Sequence, residues 1–351
     1  MSWQDKLRNV EPYVAGEQPE MSRLIKLNTN ENPYGPSPKV KEVLKQFDSH
    51  QLRLYPNSDA DHLKKVIATY YHVKENQVFL GNGSDEVLAL SFLTYFNGSA
   101  PVLFPDISYS FYPVYCDLFQ IDYKTIPVDD EFQIHLDDYK TENSGIIFPN
   151  PNAPTGLLLS VETIEDLLKY NQESVVIVDE AYIDFGGKSV IPLIETYDNL
   201  VVIQTFSKSR ALAGMRLGIA IGSEIAIKRL YDVKNSFNSY PLDRLAQVVG
   251  EASFKDQEYF ESTRKKIIKT REWTKKELEK LGFHVLDSYA NFVFASHPKY
   301  DANKLFLDLR KEGIIVRYFS APRINQYLRI TIGTDEEMNC LIDFLKTYME
   351  E

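Results

Sequence analysis

Three stretches of this chain, GIIFP at 145–149, SVVIVDE at 174–180 and LVVIQTF at 200–206, each hold an uninterrupted apolar run. A strand wetted on one face alternates apolar and polar residues, so a run with no polar alternate needs cover on both faces. That pattern predicts a largely parallel sheet with helices on either side. Further β-rich runs, QVFLG at 77–81, PVLFP at 101–105 and IDYKTIP at 121–127, extend the sheet. Helical periodicity over 38–47, 60–71, 84–95, 160–171 and 224–231 supplies the covering layers. A large α/β domain over 37–255 is therefore expected. Ahead of it, residues 1–36 are polar and carry Pro12, Pro19, Pro33 and Pro36, which reads as an extended arm. Behind it the texture changes. A charged helical stretch over 256–281 leads to HVLDS, NFVFAS, a helix near 301–312, IIVRYF, YLRITIG and a final helix from Asp335. These predict a small α+β domain over 256–351.

A chain of 351 residues can build both cores. Its 22 tyrosines and 20 phenylalanines bury enough surface to offset the entropy of ordering, which argues against disorder. The net charge of −11 and the lack of a dense basic stripe argue against nucleic-acid binding. The one basic stretch, RKKIIKTREWTKK at 264–276, reads as a solvated helix face. Cys116 and Cys340 do not make a disulfide scaffold, and a reducing cytoplasm is the expected compartment. The first twenty residues lack a signal-peptide core, and no apolar run approaches the ~18 residues of a membrane span.

Ligands of open parallel sheets collect at the carboxyl ends of the strands, and four loops there carry reactive groups. GNGSDE at 81–86 offers glycines for close backbone approach, with Ser84 and Asp85 opening a helix whose free amides can hold an anion. Alone it is equally a glycine turn with a helix cap. NPNAPTG at 150–156 presents Asn152, which alone is as readily an Asx turn. DEAYIDF at 179–185 ends an apolar strand on Asp179, costly unless paired, with Tyr182 close by; a structural ion pair is the competing account. TFSKSRALAGMRLG at 205–218 joins Thr205, Ser207, Lys208 and Arg216 in one segment, which makes a merely solvated lysine hard to sustain. The four loops suit one another. A Schiff-base amine, a phosphate cup of amides, hydroxyls and an arginine fork, and a carboxylate beside a protonated pyridine are the needs of one cofactor.

At these residues the chain resembles the fold-type I pyridoxal-phosphate aminotransferases, and among them the histidinol-phosphate branch. The likeness runs from LNTNENPYGPSP at 27–38 to YLRITIG at 327–333. It implies a three-layer α/β/α domain with a mostly parallel seven-stranded sheet, plus a small C-terminal α+β domain. It further implies that Lys208 binds pyridoxal 5′-phosphate as an imine and shuttles a proton, and that Asp179 pairs with the pyridine nitrogen. Asn152 and Tyr182 would reach the ring O3′, and Tyr109, in DISYSFY, would stack on the ring. The amides of Ser84 and Asp85, with Thr205, Ser207 and Arg216, would cradle the phosphate. Tyr55, in RLYPN, would reach that phosphate from the second subunit of a homodimer with shared sites. Arg317, in IIVRYF, and Arg329, in YLRITIG, would take the substrate anion, two forks suiting a phosphate dianion. Tyr13 would close over the substrate. No metal is called for.

The implied reaction moves an amino group between histidinol phosphate and 2-oxoglutarate, with glutamate as the other amino partner, in histidine biosynthesis. Within the family the alternatives are an aromatic amino acid aminotransferase or a threonine-phosphate decarboxylase. Outside it, a nicotinamide oxidoreductase read from GNGSDE lacks the third glycine of its fingerprint. A non-catalytic regulator on the same body would ordinarily add a DNA-binding domain. The chain departs from the family pattern at Ala153, where a second Asn is frequent, and at Met215, where Leu is usual. Glu17 stands where the arm often carries lysine, and Arg323 adds a loop cation with no assigned role.

Overall fold

In the computed structural model, which describes residues 2–21 and 24–350, the strands in chain order are β1 (Ile25–Lys26), β2 (Val78–Asn82), β3 (Val102–Pro105), β4 (Tyr123–Ile126), β5 (Gly145–Pro149), β6 (Val176–Asp179), β7 (Leu200–Thr205), β8 (Leu217–Gly222), β9 (His284–Val285), β10 (Phe292–Ser296), β11 (Ile314–Ile315), β12 (Arg317–Tyr318) and β13 (Tyr327–Thr331). The helices are α1 (Pro38–Gln46), α2 (Asp61–Tyr71), α3 (Gly83–Tyr95), α4 (Phe111–Phe119), α5 (Val161–Tyr170), α6 (Glu224–Phe237), α7 (Arg244–Phe254), α8 (Gln257–Lys280), α9 (Ala302–Lys311) and α10 (Asp335–Glu350).

The uninterrupted apolar runs are β5, β6 and β7, and every residue of the three is buried. They stand mid-sheet in the order β2-β8-β7-β6-β5-β3-β4. Pairing is parallel from β7 across to β4, and only β8 runs against its neighbours. Alternate residues serve the two faces. Ile146, Phe148, Val178 and Val202 pack with Val40, Ile67, Leu167 and Val249 of α1, α2, α5 and α7. Ile147, Ile177, Val201 and Ile203 pack with Leu88, Tyr112 and Ile227 of α3, α4 and α6. This is the expected mostly parallel, three-layer α/β/α arrangement.

Serine and aspartate side chains start α1, α5, α6, α7 and α9: Ser37, Ser160, Ser223, Asp243 and Asp301 each accept a first-turn amide. Sequence reasoning passed over β8, α4 and α7. The LGIAIG of β8 follows directly on the Arg-x-Gly loop and reads as its tail. In α4 the run FYPVYCDLF is short, carries a proline and has one charged residue, so little in it marks a helix.

After α7, strands β12, β13, β10 and β9 form an antiparallel sheet backed by α8, α9 and α10 through Ile267, Leu309, Leu341 and Leu345. The stretch read as an extended arm is partly built into this region. β1 pairs parallel with β11, and Leu27, Asn28 and Asn30 are buried. Among the described residues no helix is long and apolar enough to cross a membrane.

Candidate active site

Strands β5, β6 and β7 end at Pro149, Asp179 and Thr205, and over these ends lies a cavity of about 240 Å³. Parallel strands align their carboxyl ends, so residues distant in sequence converge there. Ser84, Asp85, Tyr109, Asp179, Tyr182, Thr205, Ser207, Lys208 and Arg216 line it, together with Tyr13, Arg317 and Arg329.

One end is built for an anion. Asn82 gives α3 no side-chain cap, so the first-turn amides at Ser84 and Asp85 remain free donors. Gly218 lets that turn come close, because a Cβ there would stand 2.5 Å from the Ser84 nitrogen. The Thr205 and Ser207 hydroxyls lie 3.0 Å apart at the same end. Arg216, at the head of β8, reaches Asp85 Oδ2 at 3.0 Å, and Tyr109 donates to Asp85 Oδ1 at 2.9 Å.

The middle holds a carboxylate and an amine. Asp179 is buried, and burial pushes its carboxyl up to about 6, although the Tyr112 hydroxyl (3.0 Å) and the Ala181 amide (3.2 Å) donate to it and act the other way. Lys208 Nζ donates to the Thr29 carbonyl at 3.1 Å and stands 5.8 Å from the centre of the Tyr182 ring. The Tyr182 hydroxyl in turn accepts from Asn30 Nδ2 at 2.9 Å.

The far wall carries the paired arginines. Arg317 and Arg329 are register partners on β12 and β13. Their guanidinium carbons lie 5.5 and 5.6 Å from the centre of the Phe319 ring. Arg329 Nη2 donates to the Asn28 carbonyl at 2.9 Å, while its Nε is buried without a partner. Burial disfavours the Arg329 charge, and Arg317 opposes it further. An anionic ligand would relieve both. Tyr13 stacks on Phe111 at 4.4 Å, and the arm is seated by a Glu17–Arg310 ion pair and by Asn28 Nδ2 donating to the Glu17 carbonyl at 2.8 Å.

Asn152 is not on the cavity wall, and Tyr55, expected to serve a second subunit, does not line its own cavity. Asn152 lies behind Ala153; its Nδ2 donates to the Ile107 carbonyl at 3.0 Å and the Thr155 hydroxyl at 3.1 Å, and its Oδ1 is buried and unpaired. Tyr55 is 79% exposed and packs on Tyr240 at 4.7 Å. Conversely, sequence reasoning assigned no role to Asn30, to Tyr112, or to Asn32, whose Nδ2 holds the Lys208 and Ser209 carbonyls at 3.0 and 3.1 Å. The asparagines stood in LNTNENPYG as a hint. Tyr112, inside the unrecognised α4, left none.

Over residues 22–345 the chain matches the family model for aminotransferase class I and II. It is 60% identical over 350 residues to the histidinol-phosphate aminotransferase of Lactococcus lactis subsp. cremoris (strain SK11), covering 100% of this chain and 98% of that protein. It is 56% identical over 343 residues to the histidinol-phosphate aminotransferase of Pseudomonas syringae pv. syringae (strain B728a), covering 98% of each. Among solved structures, the histidinol-phosphate aminotransferase from Clostridium acetobutylicum superposes with a TM-score of 0.85 at 25% identity, over 92% of this chain and 98% of that one. The one from Sinorhizobium meliloti, solved in complex with pyridoxal-5′-phosphate, has the same fold, with a TM-score of 0.83 at 22% identity over 92% and 90% of the two chains.

Proposed function

The chain belongs to the class I and II aminotransferases, and from that premise we propose that it moves an amino group between histidinol phosphate and 2-oxoglutarate, using pyridoxal phosphate. The cavity's chemistry fits that cofactor. Free amides, two hydroxyls and a guanidinium gather at one end, and a buried carboxylate lacking a cation stands in the middle. When bound, pyridoxal phosphate supplies an aldehyde carbon for amines and a protonated ring that withdraws the electron pair left by a departing α-proton.

The chain's residues divide the work. The Ser84 and Asp85 amides, the Thr205 and Ser207 hydroxyls and the Arg216 fork bind the cofactor phosphate. Asp179 keeps the ring nitrogen protonated; a carboxyl raised by burial regains its charge beside such a cation. Tyr109 stacks on the ring. Tyr182 would orient the ring hydroxyl, while Asn152, behind the wall, ties the Ile107 carbonyl to the Thr155 hydroxyl. Lys208 would hold the cofactor through its Nζ, and the same amine, once released, would carry the proton to and from the substrate α-carbon. Arg317 and Arg329 bind the substrate anion, with Tyr13 closing above it.

The observation that carries the substrate assignment is the pairing of Arg317 and Arg329 at one register position of the wall. Two forks match a phosphate dianion, and the same pair accepts a glutamate carboxylate in the other half-reaction. The test is turnover of histidinol phosphate, phenylalanine and tyrosine with 2-oxoglutarate. Histidinol phosphate is expected to lead by about tenfold or more in kcat/KM over the two aromatic amino acids, since its phosphate dianion carries more charge and more acceptor oxygens to the guanidinium pair than their carboxylate does. An equal lead for phenylalanine or tyrosine would make the chain an aromatic aminotransferase, and CO₂ release from threonine phosphate would make it a decarboxylase.

The working unit in this reading is a homodimer. Leu52, Leu54, Tyr55, Phe237 and Tyr240 are all exposed, an apolar surface suited to a second copy. From there Tyr55 would serve the partner's phosphate site. The two free thiols and the small-molecule substrates suit the cytoplasm.

A further inference from the structure

The loop of residues 319–326 joins β12 to β13, so its shape sets where Arg317, Phe319 and Arg329 stand. Arg323 sits within it at a φ of 69°, a left-handed backbone that residues with side chains keep only when their surroundings hold it. The contacts that hold it come from the segments that follow β3 and β4. Arg323 Nη1 donates to Asp106 Oδ2 at 3.0 Å, and Nη2 donates to the carbonyls of Val128 and Asp129, both at 2.7 Å. Asp106 is itself a junction. Its amide donates to the Ile126 carbonyl at 3.0 Å and its Oδ1 accepts from the Val128 amide at 2.9 Å, which ties the ends of β3 and β4 together. The next residues form the cofactor wall: the Ile107 carbonyl holds Asn152, and Ser108, Tyr109 and Ser110 line the cavity.

We propose that Arg323 is a positioning residue, a fork that sets the spacing between the substrate-anion arginines and the wall that carries the stacking ring. A partly exposed ion pair adds little stability by itself. Three acceptors at fixed places do define a geometry, however, and only a planar guanidinium meets all three. Arginines displaced from the substrate anion lose binding to substrate and transition state alike, which raises KM and leaves kcat nearly unchanged. The proposal rests on the reading that Arg317 and Arg329 receive the substrate anion.

The test uses the full-length enzyme loaded with pyridoxal phosphate, in the variants R323A, R323K, D106N and R323A/D106N. We expect R323A and D106N to raise KM for histidinol phosphate about tenfold, with kcat and pyridoxal-phosphate affinity each held within about threefold. R323K should recover part of the loss, and the double variant should be no worse than R323A. Pyridoxal-phosphate affinity, read by absorbance titration, is the control that a merely structural role would move. An unchanged KM in R323A, additive losses in the double variant, or a loss of cofactor affinity matching the rise in KM would each overturn the proposal. If R323A does not fold, R323K and D106N carry the same comparison. Wild-type enzyme inactive on histidinol phosphate would fail the substrate reading instead. The same series run as single turnovers with L-glutamate, which needs the same arginines, would still decide the role of Arg323.

Discussion

Lys208 follows a strand that is apolar along nearly its whole length, and its amine rests on a backbone carbonyl inside a cavity rather than in open water. Lys208→Ala removes the covalent hold and the proton carrier together. Turnover should fall by at least about 10³-fold in a coupled assay, and near-normal transamination in that variant would end the assignment. Asp179 makes a second residue-level prediction, on the cofactor-free protein. Burial raises its carboxyl from an ordinary 3.8 to about 6. The folded state therefore binds the proton more tightly than the unfolded one, so this stability is complete below pH 3.8 and is lost as pH rises through 6. The loss amounts to about 3 kcal/mol. Asp179→Asn should raise the apo-protein Tm at pH 7.5 and leave it nearly unchanged at pH 3.5. Neighbouring Glu180, pushed up to about 7 by its own burial, contributes equally to both proteins and drops out of the difference. A Tm gap that did not widen with pH would count against the buried, unpaired carboxyl.

At the scale of elements, the anion end depends on how closely the reversed strand β8 lies against the start of α3. Gly81 and Gly218 are register partners on β2 and β8, and Gly218 meets the Gly83–Ser84 peptide directly. Gly218→Ala would push the helix start off the strand and turn its free amides away from the phosphate. Affinity for pyridoxal phosphate should fall by about tenfold or more, since helix-start amides and the arginine fork act together there. Titration of the apo-protein measures this, and unchanged affinity would mean that α3 is not part of the cup. Both elements here differ in how they read from sequence. The Gly-Ser-Asp start of α3 was plain in GNGSDE, whereas β8 was hidden because a strand rich in small residues resembles the glycine loop before it.

At the scale of the whole molecule, Tyr55 is exposed among apolar residues and does not line its own cavity. If it completes the partner's site, mixing subunits should show it. Dimers reassembled from Lys208→Ala and Tyr55→Ala chains contain one site with both residues intact, so each mixed dimer should recover about half of wild-type activity. Both parent proteins would be impaired. Hybrid dimers, verified by sedimentation, that stayed as impaired as their parents would place Tyr55 outside the site.

The sequence alone determined the mid-sheet strands and the loops that follow them, because two-sided burial and tight turns leave their mark in adjacent residues. GIIFP, SVVIVDE and LVVIQTF each became a buried strand, and the Lys208, Asp179 and Ser84 loops met at one cavity because parallel strands align their ends. Tertiary structure alone decided the rest. It put Asn152 behind the wall, turned Tyr55 outward, set the Tyr112 hydroxyl on Asp179, and gave Glu17 and Arg323 partners in Arg310 and Asp106. Arg323 and Asp106 lie 217 residues apart. A contact of that kind depends on where two separately folded segments come to rest, and neither segment carries a local pattern that records it.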